Sequence, residues 1–138
     1  MTHESSFPDR LSTDLYGYRG QSEVLILTHY FRYCNPNHPI ITVPTGALTD
    51  GASIPRPLWS ILSPRGPYGR AAVIHDYLYS PQSCQSYPGI TRRMADEIFR
   101  DAILDCGCSR RLAWTMWAAV RLCGWKPYKG AEKPIKNV

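Results

Sequence analysis

The sequence predicts an α+β fold: a small N-terminal antiparallel β-hairpin or sheet, a Gly- and Pro-rich loop, then three helices. Three observations lead there. Glu23 to Tyr33 (EVLILTHYFRY) is a breaker-free run of β-branched, aromatic and aliphatic residues. The stretch that follows is dense in backbone-shaping residues, with Gly46, Gly51, Gly66, Gly69, Pro55, Pro57, Pro64 and Pro67. Beyond it, apolar residues recur at helical spacing.

In chain order, residues 1–20 are polar, with Gly17 and Gly20 near their end, and read as an N-terminal arm. Glu23 to Tyr33 reads as one strand. A turn at Cys34 to Pro39, with Asn35, Pro36 and Asn37, reverses the chain into a second strand, PIITVPTG. His29 then falls on a strand face and His38 in the turn, and neither reads as a ligand. The Gly- and Pro-rich segment is a shaped loop with at most one helical turn, at Leu58 to Leu62. Prolines fix its backbone and glycines allow unusual dihedrals, so it can aim several carbonyls at one point; Asp50 is its carboxylate.

The first helix runs from Tyr68 to Tyr79 and closes before Pro81. Thr91 caps the second, which reaches Asp105 with Ala95, Ile98, Phe99, Ala102 and Ile103 on one face. Ser109 caps the third, which stops at Gly124. Lys126, Lys129, Lys133 and Lys136 mark a basic tail. The expected division is an arm over 1–20, a single globular domain over 21–125 and a basic C-terminal tail over 126–138.

Composition narrows the function classes. The chain of 138 residues carries a net charge of +5, much of it from the tail. It has no apolar run long enough to cross a bilayer, and its polar N-terminus is unlike a signal peptide, so export by that route is not expected. With no aromatic platform interleaved with arginines, specific nucleic-acid binding is not expected either. Five cysteines, an odd number, read as free thiols rather than a disulfide framework. Cys106 and Cys108 bracket one glycine, but no second pair follows to complete a zinc site.

The chemistry-bearing cluster is HDYLY at 75 to 79, followed by Asp96 in RRMADEIF. His75 and Tyr79 lie one turn apart on a shared helix face, whereas Asp76 is turned about 100° from His75. A neutral His75 can take a proton from water if its other ring nitrogen is held by a carboxylate, and Asp96 on the next helix is the candidate holder. Asp76, with Asp50 and loop carbonyls, could bind a hard cation such as calcium. The competing reading makes Asp96 a surface ion pair with Arg92 and Arg100, and His75 with Tyr79 a buried polar pair that fixes helix packing.

The motifs TDGASIPRPLW at 49 to 59, HDYLY at 75 to 79 and ADEIF at 95 to 99, with AVRLCGW after them, resemble a family of small phage- and prophage-encoded domains of unknown function. The resemblance spans about residues 40 to 125 and implies a bacteriophage origin. HDYLY followed by ADEIF also looks like the helix pair of phospholipase A2 domains, most of all those of parvovirus capsids. That second resemblance implies His75 as general base, Asp76 as calcium ligand and Asp96 as the carboxylate that orients the histidine. The glycine-rich calcium loop of those enzymes is not recognisable here.

The expectation is therefore a bacteriophage protein with a calcium-type hydrolase site, acting on phospholipid or another ester of the bacterial envelope. The alternative is a non-catalytic virion component of the tail or neck, bound to other phage structural proteins, in which the HD and AD motifs only lock the fold. Either role places the protein in the virion or the host cytoplasm. An HD-type phosphohydrolase ranks last, because His29 and His38 fall in the hairpin rather than on helices around a metal.

Overall fold

The computed structural model describes residues 6–20, 22–49, 69–123 and 136–137. The fold is α+β: antiparallel strands come first and three helices follow. Chain contacts divide it into two compact units, Met1–Asp50 with Glu132–Val138, and Gly51–Ala131. This differs from the expected arm, single domain over 21–125 and tail. The strand content of the first twenty residues and of the last few accounts for the difference.

In the first unit, β1 (Thr13–Arg19) and β2 (Ser22–Leu27) form a hairpin in which Arg19 pairs with Ser22. Gly20 opens the two-residue loop at φ +65, a left-handed conformation that a side chain resists. The register shifts between Leu15 and Gly17, where Tyr16 is the extra residue. β5 (Leu48–Thr49) pairs with β2, and β6 (Lys136–Asn137) pairs with β1, giving the antiparallel order β5-β2-β1-β6. Part of the supposed tail is therefore an edge strand.

The run Glu23 to Tyr33 is two strands rather than one. It bends at Thr28 to Tyr30, and β3 (Phe31–Tyr33) pairs with β4 (Ile41–Val43) in a separate two-stranded sheet. Thr28 N–H donates to the Ser12 carbonyl at 3.0 Å, so β2 follows β1 to its end while Phe31 onward turns to a new partner. His29 therefore lies in the bend, exposed, with its Nδ1 2.7 Å from the Tyr30 carbonyl, and not on a strand face. The Cys34 to Pro39 turn forms as expected: Asn37 N–H donates to Asn35 Oδ1 at 2.8 Å, and His38 N–H to the Asn35 carbonyl at 3.1 Å.

Residues 6–12 are likewise no free arm. Phe7 lies against Phe31 and Tyr33, with ring centroids 5.8 and 5.1 Å away. Asp9 is gripped by Arg32 through Nε at 2.8 Å, Nη2 at 2.9 Å and the backbone N–H at 3.0 Å. Phe31, Tyr33, Ile41 and Val43 alternate with outward residues and, with Phe7, Val24 and Leu27, form this unit's core.

The second unit is helical: α1 (Gly69–Tyr79), a single turn α2 (Ser83–Ser86), α3 (Arg92–Asp105) and α4 (Arg110–Cys123). α3 lies between α1 and α4. α1 is buried on nearly every side, with only Arg70 and Asp76 reaching partway to solvent. Thr91 Oγ1 accepts from Met94 N–H at 3.2 Å, and Ser109 Oγ from Leu112 N–H at 3.1 Å, so both expected caps form. The Gly- and Pro-rich loop, the turn at Leu58 to Leu62, Tyr68 and the stop at Gly124 lie outside the described residues.

Phe31→Ala removes a fully buried ring and is expected to lower stability by about 3–5 kcal/mol. Thr91→Ala, which strips a cap, is expected to cost about 1 kcal/mol. Urea titration of each variant checks both; a Phe31→Ala change smaller than that of Thr91→Ala would show that the hairpin core contributes little.

Candidate functional site

The site begins with helix geometry. His75 and Tyr79 are one turn apart on α1, and Asp96 and Phe99 are one turn apart on the facing side of α3. Packing α1 on α3 places the four side chains together. The His75 ring stacks on Phe99, with centroids 4.4 Å apart and planes 25° apart, and meets the Tyr79 ring at 4.1 Å. His75 and Asp96 are both 0% exposed, which decides how strictly their polar atoms must be matched.

Asp96 is matched on both oxygens. Oδ1 lies 2.8 Å from His75 Nε2 and also accepts from the Tyr79 hydroxyl. Oδ2 accepts from Arg121 Nη1 at 2.9 Å, with Arg92 Nη1 at 3.6 Å. Burial pushes the Asp96 carboxyl up, but the hydrogen bonds from His75, Tyr79 and Arg121 outweigh it and hold the group below the usual carboxyl range. Burial, and then the hydrogen bond to the Asp96 anion, push the Tyr79 phenol well above its ordinary value. Asp96 is thus an anion and Tyr79 a neutral donor.

An ionised carboxylate can only accept, so the hydrogen between His75 and Asp96 sits on Nε2. In neutral His75 that leaves Nδ1 with the lone pair. The pair joins a histidine to a carboxylate that holds one of its ring nitrogens.

The other expected site residues are placed differently. Asp76 is half-buried and turned away from the His75 face of α1. Asp50 lies outside the described residues. Among the described residues no group of three or more His, Cys, Asp or Glu is placed to hold a metal ion. The surface ion pair considered for Asp96 with Arg92 and Arg100 is corrected in two respects: Asp96 is fully buried, and Arg100 turns instead to Asp101 Oδ1 at 3.2 Å and to the face of Trp114 at 4.6 Å.

Sequence reasoning missed Arg121. Its signal was a lone arginine in the otherwise apolar MWAAVRLC, one residue past the buried Val120. Cys106 and Cys108, considered for zinc, have a backbone role. Gly107, at φ +89, ends α3 in a Schellman turn, with Cys108 N–H donating to the Ile103 carbonyl and Gly107 N–H to that of Leu104. Burial pushes the Cys106 thiol up to about 11 and the Cys108 thiol up as well, so both stay protonated at neutral pH.

Against known proteins, a family model described as "Protein of unknown function (DUF1353)" matches residues 25–120. The "Uncharacterized protein y4jT" of Sinorhizobium fredii (strain NBRC 101917 / NGR234) is 44% identical over 59 residues, 41% of this chain. The aligned segment spans 18% of that protein's length. No solved structure matches.

Because the Asp96 carboxyl is held low in the folded state, its stabilising contribution is present above the unfolded value of about 3.9 and is lost as pH falls through the lower folded value. Asp96→Asn is expected to cost about 3–5 kcal/mol at neutral pH and to flatten the acid side of the stability profile. Denaturant midpoints measured from neutral to strongly acid pH check this; an unchanged acid limb would remove Asp96 as its source.

Proposed function

The chain belongs to that family, and we propose that His75 and Asp96 are the base and orienting carboxylate of a hydrolytic site in a bacteriophage protein. The substrate class is a phospholipid or another ester of the bacterial envelope. One observation carries the reading: a buried carboxylate, matched on both oxygens, holds Nε2 of His75. His75 Nδ1 takes a proton from water as the water oxygen bonds to the ester carbonyl carbon. The tetrahedral oxyanion then collapses, the C–O bond to the alcohol breaks, and the proton on Nδ1 passes to the departing alkoxide. Asp96 holds the ring through both transfers and stabilises its charged form between them.

Calcium at Asp76, with Asp50 and loop carbonyls, extends this proposal, the ion supplying charge stabilisation at the oxyanion. Of these groups, Asp76 is the carboxylate among the described residues, and it does not by itself make a cation site. Such a protein would act in the virion or the host cytoplasm.

A second reading, a non-catalytic component of the tail or neck, draws support from two observations. His75 is enclosed as a packing residue would be, and α4 exposes Trp114 at 47% and Leu122 at 78%, as a surface for another phage protein would.

Ester release from phospholipid vesicles is expected to require calcium and to fall about 10²–10⁴-fold in His75→Gln. Titration calorimetry is expected to show calcium binding that Asp76→Asn removes. A folded wild-type protein with neither release nor calcium binding, found in stoichiometric amounts in phage particles, would decide for the structural component.

A further inference from the structure

We infer that the outward face of α4 is a docking surface for a bilayer that carries anionic phospholipids. The inference goes beyond the hydrolytic reading and stands without it.

Charge is distributed unevenly along the chain. Residues 110–138 hold seven Lys and Arg against one acid, Glu132, whereas residues 1–109 hold nine against ten. The positive excess therefore begins where α4 begins, and α4 itself contains Arg110, Arg111 and Arg121 with no acidic residue. Such asymmetry points to an anionic partner.

Helix geometry sets what α4 shows. Ala113, Met116 and Val120 are its buried residues. At about 100° per residue, the opposite side carries Arg111, Trp114, Thr115, Ala118 and Leu122. Arg110 and Arg111 are exposed in the first turn, the positive end of the helix dipole, where acids are favoured and cations are not. A negatively charged surface offsets that placement. Arg121 turns back to Asp96 instead.

The apolar residues of this face decide which anionic partner fits. Trp114 is 47% and Leu122 78% exposed, two turns apart with the small Ala118 between them, so each projects by itself. A protein hot spot is a packed cluster that needs a complementary shape. A fluid bilayer accepts isolated side chains and takes Trp at the level of its headgroups. Nucleic acid would answer the arginines but gains nothing from an exposed leucine. The Arg100 guanidinium lies 4.6 Å over the Trp114 ring, and Trp117 meets that ring edge-on at 5.4 Å. Trp114 is thus held in its exposed position before a partner arrives, which lowers the cost of binding. α4 is not long and apolar enough to cross a membrane, so the contact is with the surface of one leaflet.

The test is co-sedimentation of the full chain with vesicles of phosphatidylcholine alone, or of phosphatidylcholine and phosphatidylglycerol in equal parts. Binding is expected on the anionic vesicles only, and is expected to weaken with added salt. Arg110→Gln with Arg111→Gln is expected to weaken it roughly 20-fold or more, Lys at both positions to preserve it, and Arg10→Gln, in the other unit, to leave it unchanged. Lipids brominated on their acyl chains are expected to quench tryptophan fluorescence, and Trp114→Phe to remove much of that quenching. Far-UV circular dichroism checks that each variant is folded. No binding to anionic vesicles, or binding indifferent to folded α4 variants, would overturn the inference. Binding to polyglutamate as tight as to the vesicles would overturn it in favour of an acidic protein. Ester release on the same samples separates the two ideas: α4-dependent binding without release leaves the docking face standing and removes the hydrolase, and release without such binding does the reverse.

Discussion

A carboxylate taken wholly out of water must be answered by donors or it will not stay charged, and the helical unit is arranged around answering Asp96. α1 contributes a ring nitrogen and a phenol, and α4 contributes a guanidinium. α3 contributes the carboxylate and, four residues earlier, a second guanidinium. Such a group adds little stability over an apolar core of the same volume. What it does is tie three helices to one carboxylate, so that removing any one partner leaves buried charge unanswered.

Much of this was legible in the sequence, and the reasons differ by element. α3 and α4 were readable because their caps, Thr91 and Ser109, and the apolar spacing from Ala95 to Ile103 act locally. His75 and Asp96 were readable as a pair because adjacent helices joined by a short connection must pack side by side. Arg121 was not, because its value lies in a contact 25 residues away that no local pattern encodes. Asp96 between Arg92 and Arg100 looked like a surface ladder, and only packing shows that α3 turns that position inward and sends Arg100 to Trp114.

The β half was harder to read for a related reason. β-propensity marks Glu23 to Tyr33 as extended but says nothing about partners, and the chain changes partner in the middle of it. The first twelve residues lack a strand pattern, yet Phe7 fills the gap over Phe31 and Tyr33. Close by, hydrogen bonds from Arg32 hold the Asp9 carboxyl below its usual range. A polar segment can be ordered by two such anchors without any periodicity to announce it. In the Cys-Gly-Cys motif the glycine serves the backbone, at φ +89 in the turn that ends α3.

The pairing of β6 with β1 has a consequence for how the molecule is assembled in time. Gly17 and Tyr18 meet Asn137 and Lys136, so the sheet that opens the chain gains its last strand from more than a hundred residues downstream. The helical unit is continuous between these two parts of the other unit and can collapse on contacts between neighbours in sequence. During synthesis the helices can therefore settle while one edge of the sheet still stands open. That edge is a template for any extended strand that reaches it first.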